Sequence, residues 1–144
     1  MLAGVPGPTA WVGRAGAVVY VAFYTALDVL VGIGAGTLVQ RGVARDSLPV
    51  EVLFETGNDL ATIGTVSFLV ASAATAAALV VTVGRRAWTG AVVLVAAAVP
   101  LLDSHIYWPR GVLTMVGLAV GLGLLAWVAP PRLAVEGSGR ALPA

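Results

Sequence analysis

The sequence predicts an all-α, polytopic membrane protein: an antiparallel four-transmembrane-helix bundle with a short interfacial helix between spans one and two. Three observations predict it. The 144 residues are 59% hydrophobic and 10% charged, at a mean hydropathy of +0.98, more apolar side chain than one soluble domain of this size can bury. Several nearly charge-free runs reach the roughly 20 residues that a membrane helix needs. The breaks between runs carry helix stops, arginines and aromatic residues of the interfacial type.

The elements follow in order. Residues 1–14 form an N-terminal tail, rich in Gly, Pro and Ala and expected to be disordered. Span one covers 15–39 and contains a single charge, Asp28. The run is too long for the h-region of a secretory signal, which is about 7 to 15 residues. Residues 40–59 make the one long connection. Within it Ser47, then Pro49 and Glu51, has the pattern of a helix start. Val50, Leu53 and Phe54 share one face while Glu51, Glu55 and Asn58 share another, so the expected element is a short amphipathic helix on the membrane surface.

Span two, 60–83, has no charge and stops at Gly84, Arg85 and Arg86. Almost no loop remains before span three, so these two spans form an antiparallel hairpin. Span three, 88–107, starts at Trp88, and its apolar part ends at Leu102. That part covers only about 22 Å of a hydrocarbon layer of roughly 30 Å. Either residues 103–107 continue the helix, or the span is short and Pro100 bends it. Span four, 111–129, is closed by Pro130 and Pro131, and 130–144 form a disordered C-terminal tail. The transmembrane domain is thus 15–129.

With four spans, both termini share a side. Arg14, Arg85, Arg86, Arg132 and Arg140 fall on that side, against Arg41, Arg45 and Arg110 on the other. The positive-inside rule makes the termini cytoplasmic. Eight arginines with no lysine, and single Asn and Gln residues, point to a GC-rich genome and so to a bacterial inner membrane.

Composition also excludes chemistry. Without cysteine there is no disulfide, thiolate metal site or cysteine nucleophile. The basic residues are scattered at net charge +1, which argues against nucleic acid. One histidine and scattered acids give no metal-ligand spacing, and GxSxG, HExxH, Walker A and GxGxxG patterns are all absent. The chain is expected to be no enzyme, with neither metal nor cofactor.

Asp28 is the most informative residue, because an ionised carboxylate near the centre of a membrane helix costs about 2.5 to 3.5 kcal/mol. Counting by four places Tyr20, Tyr24, Asp28, Gly32, Gly36 and Gln40 on one slowly drifting face, which should point into the bundle. Counted from the helix starts, Asp28 and Asp103 lie at similar heights, about 20 and 22 Å. The candidate buried polar cluster is therefore Asp28, Tyr24, Asp103, His105 and Arg110. Two readings stay open. Asp28 pairs with Arg110 or a tyrosine hydroxyl and fixes the packing, or the group carries a proton or cation.

The run YTALDVLVGIGAGTLV in span one, with a His followed by Pro and Gly at the start of the last span, resembles the small four-span membrane proteins of actinobacteria. The resemblance covers most of 15–129 and implies the four-span architecture. It supplies no activity. The leading expectation is a non-enzymatic membrane component or helper subunit, embedded in lipid and associated with itself or with a membrane-protein partner. The second is a small, oligomeric proton- or cation-coupled transporter or channel using Asp28.

Overall fold

The computed structural model describes residue 2, residues 4–104 and residues 108–129. Every regular element among them is helical: α1 (Pro8–Leu27), a π-helical segment (Asp28–Ala35), α2 (Gly36–Gln40), α3 (Leu48–Val83), a 3-10 turn (Gly84–Ala87), α4 (Trp88–Ala98), α5 (Leu101–Ser104) and α6 (Arg110–Val128). Three continuous stretches, Pro8–Gln40, Leu48–Asp103 and Arg110–Val128, are long and apolar enough to cross a membrane. The middle stretch doubles back at Gly84, whose φ of +77° ends α3 in a conformation that favours glycine.

The helix begins earlier than the sequence predicts. Gly7, at φ 110°, releases the chain into Pro8, and proline is well suited to a first helical turn because its missing N–H has no partner there. Arg14 holds the preceding residues in place. Its guanidinium donates to the Leu2 carbonyl and, at 3.0 Å, to the Val5 carbonyl, and it lies 5.2 Å from the Trp11 ring centroid. Val5 is buried in the core as a result. The C-terminal tail expected at 130–144 lies outside the described residues.

Ser47 does precede a helix, in extended conformation, but the expected short interfacial helix is not a separate element. It runs on into span two as the 36-residue α3, because nothing between Leu48 and Val83 interrupts the backbone hydrogen bonds. The helix expected over 88–107 is interrupted at residues 99–100. Without an N–H, Pro100 cannot continue α4, which stops at Ala98, and α5 resumes one residue later. Residues 105–107 lie outside the described residues.

The most extensive packing runs from α1 along α3, from α3 to α4 and from α4 to α6, and Gly13, Arg14 and Ala17 of α1 share a cleft with Leu94 of α4 and Leu122 of α6. Small residues set each spacing. Gly13 faces Thr75, Gly16 faces Ser67 and Ala71, Gly64 faces Tyr24, and Gly57 faces Leu27 and Val31, so α1 and α3 are antiparallel. On the other side Gly90 meets Leu124 and Leu125, Gly117 meets Ala97, and Gly121 meets Leu94. The apolar core, built around Leu79, Leu94, Leu118 and Leu125, includes α3 only from Phe68 onward. The first half of α3 therefore pairs with the π segment and the end of α1, and projects past the α4–α6 pair.

Polar side chains in these helices bond to their own backbone. The hydroxyls of Thr65, Thr82 and Thr114 donate to the carbonyls of Ala61, Ala78 and Arg110 at 2.9, 2.7 and 3.0 Å.

Two glycines two residues apart test the packing of α6. A Cβ at Gly121 would stand 2.6 Å from the Leu94 nitrogen and 2.7 Å from its Cα, whereas one at Gly123 meets nothing within 4 Å. Gly121→Ala is expected to destabilise the protein by about 1–3 kcal/mol. Gly123→Ala is expected to leave stability unchanged or raise it by up to about 1 kcal/mol. Unfolding followed by circular dichroism in detergent measures both.

Candidate functional site

The candidate cluster does not assemble as a buried group. Asp28 is exposed on the surface of the chain, as are Asp103 and Arg110, while Tyr24 is half-buried. Tyr24 stacks on Tyr20 at 5.1 Å between centroids, and Tyr20 on Phe68 at 4.8 Å, so the tyrosines join α1 to α3. Asp103 in α5 and Arg110 at the start of α6 occupy one end of the α4–α6 pair. There Arg110 lines a cleft of about 290 Å³ with Pro100 and Thr114, and Asp28 is not part of it. His105 lies outside the described residues. Among the described residues no three His, Cys, Asp or Glu side chains group as metal ligands.

The displacement of Asp28 has a geometric cause. At 100° per residue, four-residue steps gain about 40° each, so the second step from Tyr20 overshoots by about 80°. Seven residues miss two full turns by only about 20°, and Leu27 accordingly takes the inward position. Gly13, Tyr20 and Leu27, seven apart, all lie toward α3, and Asp28 is rotated off that seam.

The height estimate also shifts. Gly64 abuts Phe23 and Tyr24, and Gly57 abuts Leu27 and Val31, which sets Asp28 level with about residue 60 of α3, where the polar stretch Glu55–Asp59 gives way to the apolar one. Asp28 belongs to the end of the apolar layer and not to its middle.

A different feature begins at Asp28. The eight residues Asp28–Ala35 are π-helical, a widened form that is rare and recurs at functional sites. After it α2 ends in a Schellman motif: Val43 N–H donates to Leu38 O and Gly42 N–H to Val39 O, both at 3.0 Å, with Gly42 at φ +87°. The connection is short and tied down, since Ser47 Oγ donates to Ala44 O at 2.6 Å. These elements enclose a cleft of about 500 Å³. Val31, Ala35 and Val39 line one wall, Val50 and Phe54 the other, and the exposed Gln40 and Arg45 supply its polar groups.

Sequence reasoning missed this cleft. The glycines of VGIGAG read as a helix contact, yet nothing lies within 4 Å of a Cβ at Gly32 or Gly36. Glycines spaced for contact but facing open space were the one available signal. A second groove, of about 590 Å³ between α3 and α4, is lined only by apolar residues, among them Val81, Trp88 and Val92.

No protein-family model, curated protein or solved structure matches the chain.

Because Asp28 is exposed, Asp28→Asn is expected to change the unfolding free energy by no more than about 0.5 kcal/mol. A buried ion pair broken at the same position would cost about 3–5 kcal/mol. Denaturant titration in detergent separates the two.

Proposed function

We propose that the chain is a multi-pass bacterial inner-membrane protein with a non-enzymatic role, a component that crosses the bilayer four times and offers the tip of the α1–α3 hairpin to other membrane constituents. The placement of tryptophan carries this reading. All four tryptophans are exposed: Trp11 by 68%, Trp88 by 56%, Trp108 by 79% and Trp127 by 90%. A water-soluble fold keeps such rings largely covered, whereas a bilayer gathers them at its two interfaces. The antiparallel register puts the start of α4 and the end of α6 at one level, so Trp88 and Trp127 share that end, while Trp11, level with about residue 76 of α3, lies about 10 Å nearer the middle. Trp108 lies at the opposite end of α6. Arg85 and Arg86 stand at the end marked by Trp88 and Trp127, which supports a cytoplasmic assignment of that face.

On this placement Pro8–Leu27 and the apolar part of α3 each cover about 30 Å or more, enough for the hydrocarbon layer. The hairpin tip beyond Asp28 and Asp59 stands at the outer face. Its exposed surface mixes Glu51 and Glu55 with Ile33, 65% exposed, and Phe54, 48% exposed. Apolar side chains next to charges at an interface suit a helper or assembly subunit that meets lipid and a membrane-protein partner or a second copy.

The chain has no cysteine, so single cysteines report its topology. In intact cells Asp46→Cys is expected to react with a membrane-impermeant maleimide, and Arg86→Cys only after permeabilisation. Reaction of both from one side, or release of the protein by alkaline carbonate, would sink the four-span reading. In liposomes the purified protein is expected to leave a proton gradient intact. A leak abolished by Asp28→Asn would replace the component role with transport.

A further inference from the structure

We infer that the cleft at the hairpin tip is a phospholipid site, in which one acyl chain lies between the π segment and the start of α3 and the phosphate meets Arg45 and Gln40. Its volume of about 500 Å³ falls within the range of ligand pockets, which are mostly apolar with a few convergent polar groups. The lining has that composition. Ala35 and Val50, each 1% exposed, are the most covered of its apolar members, and its polar members are one guanidinium and one amide.

Charge identifies the head group. No carboxylate lines the cleft, and Glu51 and Glu55 are exposed on α3 outside its walls. A guanidinium presents paired N–H donors that match phosphate oxygens, and the Gln40 amide adds another donor. The α3–α4 groove shows the contrast. It is similar in size, but with no polar group it can hold an acyl chain without selecting a head group.

Position supplies the ligand. The inference rests on the membrane reading above, which sets the Val31 end of the cleft next to Asp28, at the edge of the apolar layer, with Gln40 roughly 15 Å further out, so that a bound lipid is drawn outward along the apolar walls with its phosphate leading. The widened π turn is part of the site, because Val31 and Ala35 from that turn line the cleft and Gly36 follows it without filling it.

The test uses full-length protein in nanodiscs containing either phosphatidylglycerol or phosphate-free diacylglycerol, each with a diazirine on its acyl chain. Photolabelled residues are mapped by mass spectrometry. Phosphatidylglycerol is expected to label Val39, Val50 and Phe54 saturably, and diacylglycerol about tenfold less, the scale of a lost charge-assisted hydrogen bond. Arg45→Gln should lower phosphatidylglycerol labelling about tenfold. Gly36→Leu, which adds a side chain in open space, should lower labelling in the cleft by both lipids. Val81 and Val92 in the apolar groove report bulk lipid and should be labelled equally throughout. Equal cleft labelling by both lipids, or no effect of Arg45→Gln, overturns the site. So does labelling by a diazirine fatty acid without labelling by phosphatidylglycerol. Failure of the membrane reading shows separately, as release by carbonate.

Discussion

The close approach of α1 and α3 at glycines is the contact on which the rest of the structure depends. Where Gly13, Gly16, Gly57 and Gly64 face the opposite helix, an added Cβ would meet backbone or packed side chain, so sliding one helix along the other would lose the fit. That contact fixes the register. The register in turn sets Asp28 level with the end of the apolar part of α3, brings Tyr20 against Phe68, and leaves the first half of α3 to pack on the π segment and the end of α1. A shift of one helical turn, about 5.4 Å, would move Asp28 into the apolar layer or carry the cleft away from its walls.

Much of this was legible in the sequence, and what was lost was lost for stated reasons. The all-helical class, the turn at Gly84, the helix start after Ser47 and the break at Pro100 all follow from single-residue backbone chemistry, which acts locally. The helix from Pro8 was obscured by composition, since Gly and Pro near a terminus read as a tail until Arg14 is seen to hold the backbone of Leu2 and Val5. The amphipathic stretch after Ser47 was correctly helical and wrongly separated, because a change in side-chain polarity does not break a helix. The face of Asp28 was misjudged by a counting error of physical origin: a four-residue step follows neighbours well over one turn and poorly over two. His105 remains an expectation from sequence alone.

Arg14 and the threonines show how polar groups are accommodated in such helices. A guanidinium in an apolar segment needs acceptors, and the turn before α1 supplies two carbonyls while Trp11 covers one face of the cation. The threonine hydroxyls instead use carbonyls one turn back on their own helices. Neither arrangement requires a polar interior. The helices can therefore pack through glycine and alanine, and the exposed carboxylates and arginines collect at the two ends of the molecule.

A π-helical segment of eight residues is uncommon, and ordinary α-helix would extend the same chain. Here the widening occurs where α1 leaves the apolar layer, and its geometric result is that Val31 and Ala35 turn toward Val50 without the two walls closing on each other. Gly36 maintains the opening, since it lines the cleft and carries no side chain to fill it. A regular α-helix with alanines in place of Gly32 and Gly36 would be the better structural choice by helix propensity alone, by roughly 1 kcal/mol per residue. The sequence forgoes that stability at the turn which lines the cleft, while it packs Gly13 and Gly16 tightly against α3. Glycines along one run of helix thus serve opposite ends: Gly13 and Gly16 on the seam exclude space and fix the register, and Gly36 past Asp28 preserves it.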